Sequence, residues 1–513
     1  MPAQPYGTGQ QQPYGTYPTQ PQPQMPGGGP GDGGAGGGGK SKQRLMIIVS
    51  AVVAVALIAA AGIFFLTKKD DSEDDPKPKP TASGTQGGGT GGKDVFKEQP
   101  APQPIDAKAL VKVPMPKTKK GELVRIDGIW ATDKVFAKAS AYAIVGYPAN
   151  GGSKALWTRP LDGEMCWASP HVNDKGQTAI VFKEAKPTKK EEYPGCTEVG
   201  LLDLNSGKLV WQKHANGSTG KATFNEVTIS GDTVAAGSRY DGGGWAWSTS
   251  GDELWAPRGS DECEDQGYAG DGKKLVRVRM CGATDTPQVK VERIDPKTGE
   301  TQSEYTVPQG IDDVHVASVD PLVIGVEAGE SKSNGASDFF VLNDSEKTAT
   351  LRSKISTENG KYSVGCGSYV EDCHGVAVSR QTDKLFMATE KRYSSSGPSN
   401  EVVAFSLESG KAVGKADGVP EVELTPLMTD ENGYVIALQQ AAFDRGGVVL
   451  RIDPKSYDKA VLMNLPLESA ALQRRYAILG DNELAYVNGR LFMGESRVLD
   501  PDGETPLAVG FGG

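Results

Sequence analysis

The chain has 513 residues, 37% of them hydrophobic and 23% charged, with 66 glycines, 33 prolines and a formal net charge of −10. Residues 1–69 carry a net +4 and residues 70–513 a net −14. An acidic body of this size weighs against nucleic acid or anionic lipid headgroups as its main partner, because both would repel it.

Residues 1–44 read as a disordered tail. Pro5-Tyr6-Gly7-Thr8 recurs at Pro13-Tyr14-Gly15-Thr16, and a polyglycine run extends to Gly39. So few apolar side chains cannot offset the entropy of ordering the chain. Pro18-Thr19-Gln20-Pro21 has the form of a polyproline ligand, but the composition of the whole stretch is met by a solvated tail.

Residues 45–66 contain no charge and predict a transmembrane helix. At ~1.5 Å per residue they span ~33 Å, enough for a bilayer core. A cleaved signal peptide competes, since Ala59-Ala60-Ala61 precedes Gly62. The long tail in front, and Ile63-Phe64-Phe65-Leu66 continuing the apolar run, favour an uncleaved single-pass anchor. Lys40, Lys42 and Arg44 on one side nearly balance Lys68 and Lys69 on the other. All six cysteines lie beyond the helix, which puts the C-terminal body outside the cytoplasm and the N-terminus inside it. Residues 67–120, with Asp70, Asp71, Glu73, Asp74 and Asp75 before Pro-rich and Gly-rich runs, read as a flexible stalk.

From residue 121 to 513 a turn recurs at Gly163, Gly207, Gly251, Gly299, Lys347, Gly410, Tyr457 and Gly503, mostly 44 to 48 residues apart with one step of 63. That period holds four short strands and is too short for a domain. A second turn precedes an apolar run in most repeats, as at Asp174-Lys175-Gly176, Gly231-Asp232, Asp271-Gly272, Asp383-Lys384, Asn432-Gly433 and Asp481-Asn482. Four-stranded meanders that cannot bury both faces alone stack radially. The expectation is an all-β propeller of eight four-stranded blades, with seven as the alternative. Trp167, Trp211 and Trp255 each fall four positions after a turn glycine and are expected to pack between blades.

The pattern Leu-Asp-x-x-Ser/Thr-Gly-Lys/Glu-x-x-Trp, clearest at Leu202–Trp211 and partial at Ile294–Glu300 and Phe405–Lys411, resembles the repeat of the quinoprotein-type, PQQ-like β-propeller family. The resemblance covers residues 121–513 and implies seven or eight blades. It admits enzymes with a quinone cofactor and also non-catalytic members, such as an outer-membrane assembly lipoprotein and sensor domains attached to bacterial kinases. The enzymes stack their quinone on a disulfide of adjacent cysteines beside calcium, and this chain has no Cys-Cys pair and no positions matching the calcium ligands. The tail followed by one span is similar to membrane proteins of high-GC Gram-positive bacteria.

Six cysteines in the outer body read as three disulfides, paired in order as Cys166–Cys196, Cys263–Cys281 and Cys366–Cys373. No Cys-x-x-Cys pair suggests zinc, and Cys373-His374 alone makes a poor site. Asp261, Glu262, Glu264 and Asp265 could face a cation but fit an exposed charged edge better. No Gly-x-Ser-x-Gly, His-Glu-x-x-His or phosphate loop occurs. His171, His214, His315 and His374 lack a nucleophile neighbour and read as structural or surface residues. The expectation is a membrane-anchored, extracytoplasmic, non-catalytic scaffold for a protein or cell-envelope ligand, without cofactor or metal. An enzyme working in the propeller channel, on a quinone-dependent or glycan substrate, is the alternative.

Overall fold

The computed structural model describes residues 96–513 except 218–219, 239–242, 259–261, 283–285, 329–334, 359, 395–396, 479–481 and 500–503. The tail, the expected membrane helix and most of the stalk lie outside the described residues. Among the described residues no helix is long and apolar enough to cross a membrane.

Eight four-stranded antiparallel sheets follow one another along the chain as the blades of a propeller. Their first strands are Ile129–Ala131, Met165–Ala168, Glu226–Ser230, Cys263–Gly270, Val314–Val319, Val376–Ser379, Leu424–Thr429 and Asn482–Val487. Inner strands of successive blades are in contact from blade 2 to blade 7 and again between blades 8 and 1. One short helix, α1 (Ala470–Tyr476), joins blades 7 and 8. The meander pattern read from the sequence is thus an eight-bladed, all-β propeller.

The ring closes with a strand from ahead of blade 1. Lys108–Val113 pairs antiparallel with Ala508–Gly512 and supplies the outermost strand of blade 8. Just before it, Ile105–Asp106 adds a parallel fifth strand to blade 7 beside Met463 and Asn464. Further upstream, Phe96 packs on Tyr434 of blade 7 with ring centroids 5.0 Å apart, and the Gln99 amide donates to the Tyr434 hydroxyl at 2.6 Å. The propeller therefore begins before residue 105, not at 121. Ala109, Val111 and Val113 alternate with Lys108, Leu110 and Lys112, and pairing across the ring turns that weak pattern into a strand.

Each blade covers its neighbour. Val181 and Leu201 of blade 2 meet Val227, Val234 and Trp247 of blade 3 in one buried cluster. At the closure, Phe136 of blade 1 stacks on Phe492 of blade 8 at 4.3 Å. Burying one such ring contributes roughly 1.5–3 kcal/mol, and repeated around the ring this sets the radial packing.

The turns at Gly207, Gly251, Gly299, Lys347, Gly410 and Tyr457 join third to fourth strands in blades 2 to 7. Gly163 does not belong to this set. It links the last strand of blade 1, Trp157–Pro160, to blade 2, and Gly503 lies outside the described residues. Trp211 and Trp255 lie against Gly251 and Gly299 of the following blade, where a Cβ would stand 3.2 and 2.9 Å from the indole. Their Nε1 groups donate to the carbonyls of Thr249 and Pro296 at 3.2 and 3.4 Å. The matching residue of blade 1 is Trp157, against Gly207 and donating to Leu204 O at 3.0 Å. Trp167 is instead on the inner strand of blade 2; its distance from Gly163 copied the repeat spacing without the repeat geometry. In blade 4, Ser303 keeps the hydrogen bond, to Glu346 O at 2.5 Å, without the ring. Between blades 6 and 7 the pair is inverted. Tyr457 occupies the turn position and its ring covers Gly414, where a Cβ would lie 1.9 Å away.

Candidate functional site

All three disulfides join the cysteines in sequence order. Cys263 and Cys281 face each other across the first hairpin of blade 4. Cys166–Cys196 ties the inner strand of blade 2 to the end of the Lys-rich insertion before its third strand. The third, Cys366–Cys373, has the largest consequence for the channel. It closes a hairpin of two two-residue strands between blades 5 and 6, and the loop at its tip carries Tyr369, Val370 and Glu371.

That loop enters the central channel. Glu371 Oε1 lies 2.6 Å from His171 Nε2 of blade 2, and its Oε2 accepts from Thr228 Oγ1 of blade 3 at 2.9 Å. The Gly270 amide of blade 4 also donates to Oε1, at 3.3 Å. A residue between blades 5 and 6 can reach blades 2, 3 and 4 together only across the axis. Val370 is held on both sides of its backbone: its N–H donates to Glu226 Oε2 at 3.0 Å, and its carbonyl accepts from Val316 N at 2.7 Å. The Tyr369 ring lies 3.9 Å from that of Trp167, its hydroxyl accepts from Arg125 Nη1 at 2.8 Å, and its carbonyl meets His315 Nδ1 at 2.7 Å. Three consecutive loop residues, Tyr369, Val370 and Glu371, thus engage blades 2, 3, 4 and 5 together with Arg125.

Side chains that would line an open channel are buried. Glu226, Thr228 and Ser230 share one face of the inner strand of blade 3, and His315 stands on that of blade 5, all nearly without solvent contact. Glycine makes the close approach possible at Gly267, where a Cβ would fall 2.1 Å from Glu226 Oε1.

The electrostatics follow from this burial. Desolvation pushes the Glu226 carboxyl well above its ordinary range, and the negative Glu371 and Asp372 nearby add to the rise. Burial opposes charge on His171, yet Glu371 outweighs it and holds the imidazole above its usual value. At the junction of blades 8 and 1, burial first, and then Glu483, raise Asp127 to about 7. Lys138, fully buried, donates there to Glu483 Oε2 at 2.9 Å and to Gly128 O at 3.3 Å. The arrangement can bind a loop tightly and can hold or release protons.

The remaining histidines are partnered: His374 Nε2 is 2.8 Å from Asp372, and His214 is 3.9 Å from Glu198. Of the acidic residues around Cys263, Glu262 and Glu264 are exposed. Asp265 turns inward, against the expected exposed edge, because Arg279 meets it at 2.6 Å and Arg277 at 3.6 Å. No group of His, Cys, Asp and Glu suited to a metal ion occurs among the described residues. Sequence reasoning missed Glu371, Glu226, Tyr369, Asp127 and Arg125. The one local sign was the pair of cysteines bracketing a seven-residue step.

No protein-family model matches the chain, and no curated protein matches it. Among solved structures it is similar to BamB from Moraxella catarrhalis, with 13% identity, 77% of this chain and 99% of that chain covered, and a TM-score of 0.41. It is similar to the quinohemoprotein alcohol dehydrogenase ADHIIG from Pseudomonas putida HK5, with 11% identity, coverage of 82% and 78%, and a TM-score of 0.42. The β-propeller domain of Cps50 (Swd1) from Myceliophteria thermophila compares at 11% identity, coverage of 62% and 94%, and a TM-score of 0.36.

Proposed function

We propose that this chain is a membrane-anchored, extracytoplasmic scaffold of the PQQ-like propeller type, which binds a protein or cell-envelope ligand on its outer surfaces without catalysis. The observation that carries this reading is the loop Cys366–Cys373, whose Val370 and Glu371 reach across the axis with hydrogen bonds to blades 2, 3, 4 and 5. A cofactor or substrate in the channel would have to displace it. Three disulfides, all beyond the apolar stretch 45–66, support an oxidising compartment for the propeller and a cytoplasmic tail.

Cross-linking on intact cells, with quinone and metal analysis of the purified full chain, tests the proposal. The expected result is a cross-linked envelope partner and no stoichiometric quinone or divalent ion. Stoichiometric quinone with dye-linked dehydrogenase activity would replace the scaffold by the enzyme reading.

A further inference from the structure

A second built site lies away from the channel, in the cleft between blades 3 and 4. Its cavity measures about 280 Å³. The floor is a buried ionic cluster. Arg277 and Arg279 project from the same face of one strand, Asp265 lies 2.6 Å from Arg279 Nε and 3.6 Å from Arg277 Nη1, and the Arg277 Nε donates to Glu292 at 2.9 Å. The Tyr268 hydroxyl donates to Asp265. Trp255 and Pro257 form an apolar wall, Gly243 and Gly244 the backbone wall facing it, and Arg258 with Thr301 the exposed rim.

Buried ion pairs are costly to desolvate, and an apolar floor of equal volume would stabilise the blade at least as well. Its charges balance: Arg258, Arg277 and Arg279 are matched by Asp265 and Glu300 of the lining and by Glu292 behind Arg277. An anion such as phosphate would approach the arginines only by also approaching Asp265. A neutral group with hydroxyls, each both donor and acceptor, can pair with guanidinium and carboxylate together. The volume is at the low end of ligand pockets, ~300–1,000 Å³, which leaves room for one small ring and not a chain.

We propose that this cleft binds a single neutral hydroxylated ring, a monosaccharide unit, with its hydroxyls on Asp265, Arg277 and Arg279 and its apolar edge on Trp255. The site is separate from the plugged channel and does not rest on the scaffold reading.

The purified full chain would be titrated with D-glucose, D-galactose, D-mannose and N-acetyl-D-glucosamine. Tryptophan fluorescence would follow binding, since Trp255 lines the wall, and saturation-transfer NMR would check it. Inorganic phosphate is the anion arm. At least one sugar should saturate below ~10 mM, with no phosphate response. Arg277→Lys, which keeps the charge and loses the fork, should weaken binding at least tenfold. Because that change alters the buried cluster, Arg258→Ala on the exposed rim provides a second variant and should weaken binding at least threefold with an unchanged melting temperature. The corresponding disaccharide separates a free ring from a unit within a glycan chain, and should bind no more than threefold tighter than its monomer. Absence of saturation by all four sugars, phosphate binding that depends on Arg277, binding untouched by both variants, or a disaccharide bound tenfold tighter would each overturn the proposal.

Discussion

Glu371 meets His171 at 2.6 Å across the central channel, although 200 residues separate them in the chain. Hydrogen bonds to a charged carboxylate are worth roughly 1.5–3 kcal/mol each when buried, and less for His171, which is about a third exposed. Glu371→Ala also leaves Thr228 without its acceptor. The substitution should lower stability by roughly 1–3 kcal/mol in denaturant unfolding. A variant as stable as the parent would mean that the loop is not held by this carboxylate.

Stability should fall as pH rises through neutrality. Asp127, Glu226 and His171 all have folded values above their ordinary ones. A group that holds its proton more tightly when folded contributes stability that is complete below its unfolded value and lost as pH rises through the folded value. For Asp127 the loss begins above 3.8 and is complete above about 7; for His171 it begins above 6.5. Melting temperatures between about pH 6 and about pH 8.5 should therefore decline, and Asp127→Asn should flatten the slope. Over this window its share is on the order of 1–2 kcal/mol. A melting temperature that rises over this window would contradict the assignment.

The tryptophans separate into two groups. Replacing Trp157, Trp211 or Trp255 by Ala removes a ring packed on the next blade and should cost roughly 3–5 kcal/mol. Trp167→Ala removes the surface beneath Tyr369 and should cost less, while making Cys366–Cys373 easier to reduce. Equal losses of stability at Trp167 and Trp211 would restore the regular spacing read from the sequence.

That spacing shows what the chain made legible. Asp203, Asp295 and Asp453 each accept from backbone amides two and three residues on, so the turns are local and visible as motifs. The Cys263–Cys281 pairing was equally local, since hairpin register places the two residues opposite each other. The plug was not legible, because Glu371 finds its partners 101 to 200 residues away and no short pattern encodes which blade a loop will meet. The ring closure was hidden for the same reason. Lys108–Val113 looks like the end of a Pro-rich stalk until it pairs with Ala508–Gly512.

Truncation checks the closure. A chain beginning at residue 96 keeps the outer strand of blade 8 and the Phe96–Tyr434 contact, and should unfold in one cooperative transition. A chain beginning at 121 exposes the paired edge of Ala508–Gly512 and should aggregate or melt at a clearly lower temperature. Equal melting of the two would remove the closing strand from the account.

The disulfides differ in loop length. The chain-entropy relation gives ~3 kcal/mol for the 18-residue step at Cys263–Cys281 and ~2 kcal/mol for the seven-residue step at Cys366–Cys373. Cys366→Ser with Cys373→Ser should therefore destabilise less than the Cys263, Cys281 double variant. Non-reduced peptide mapping should find three sequential pairs, and a pair between distant blades would contradict the structure.

Hydrogen exchange at Val370 tests the plugged channel most directly. Its amide donates to the buried Glu226 carboxyl and should exchange as slowly as the inner-strand amide of Thr228. Exchange of Val370 at the rate of an unprotected loop amide, in oxidised protein, would mean an open channel and would contradict the reading of this propeller as closed on its own loop.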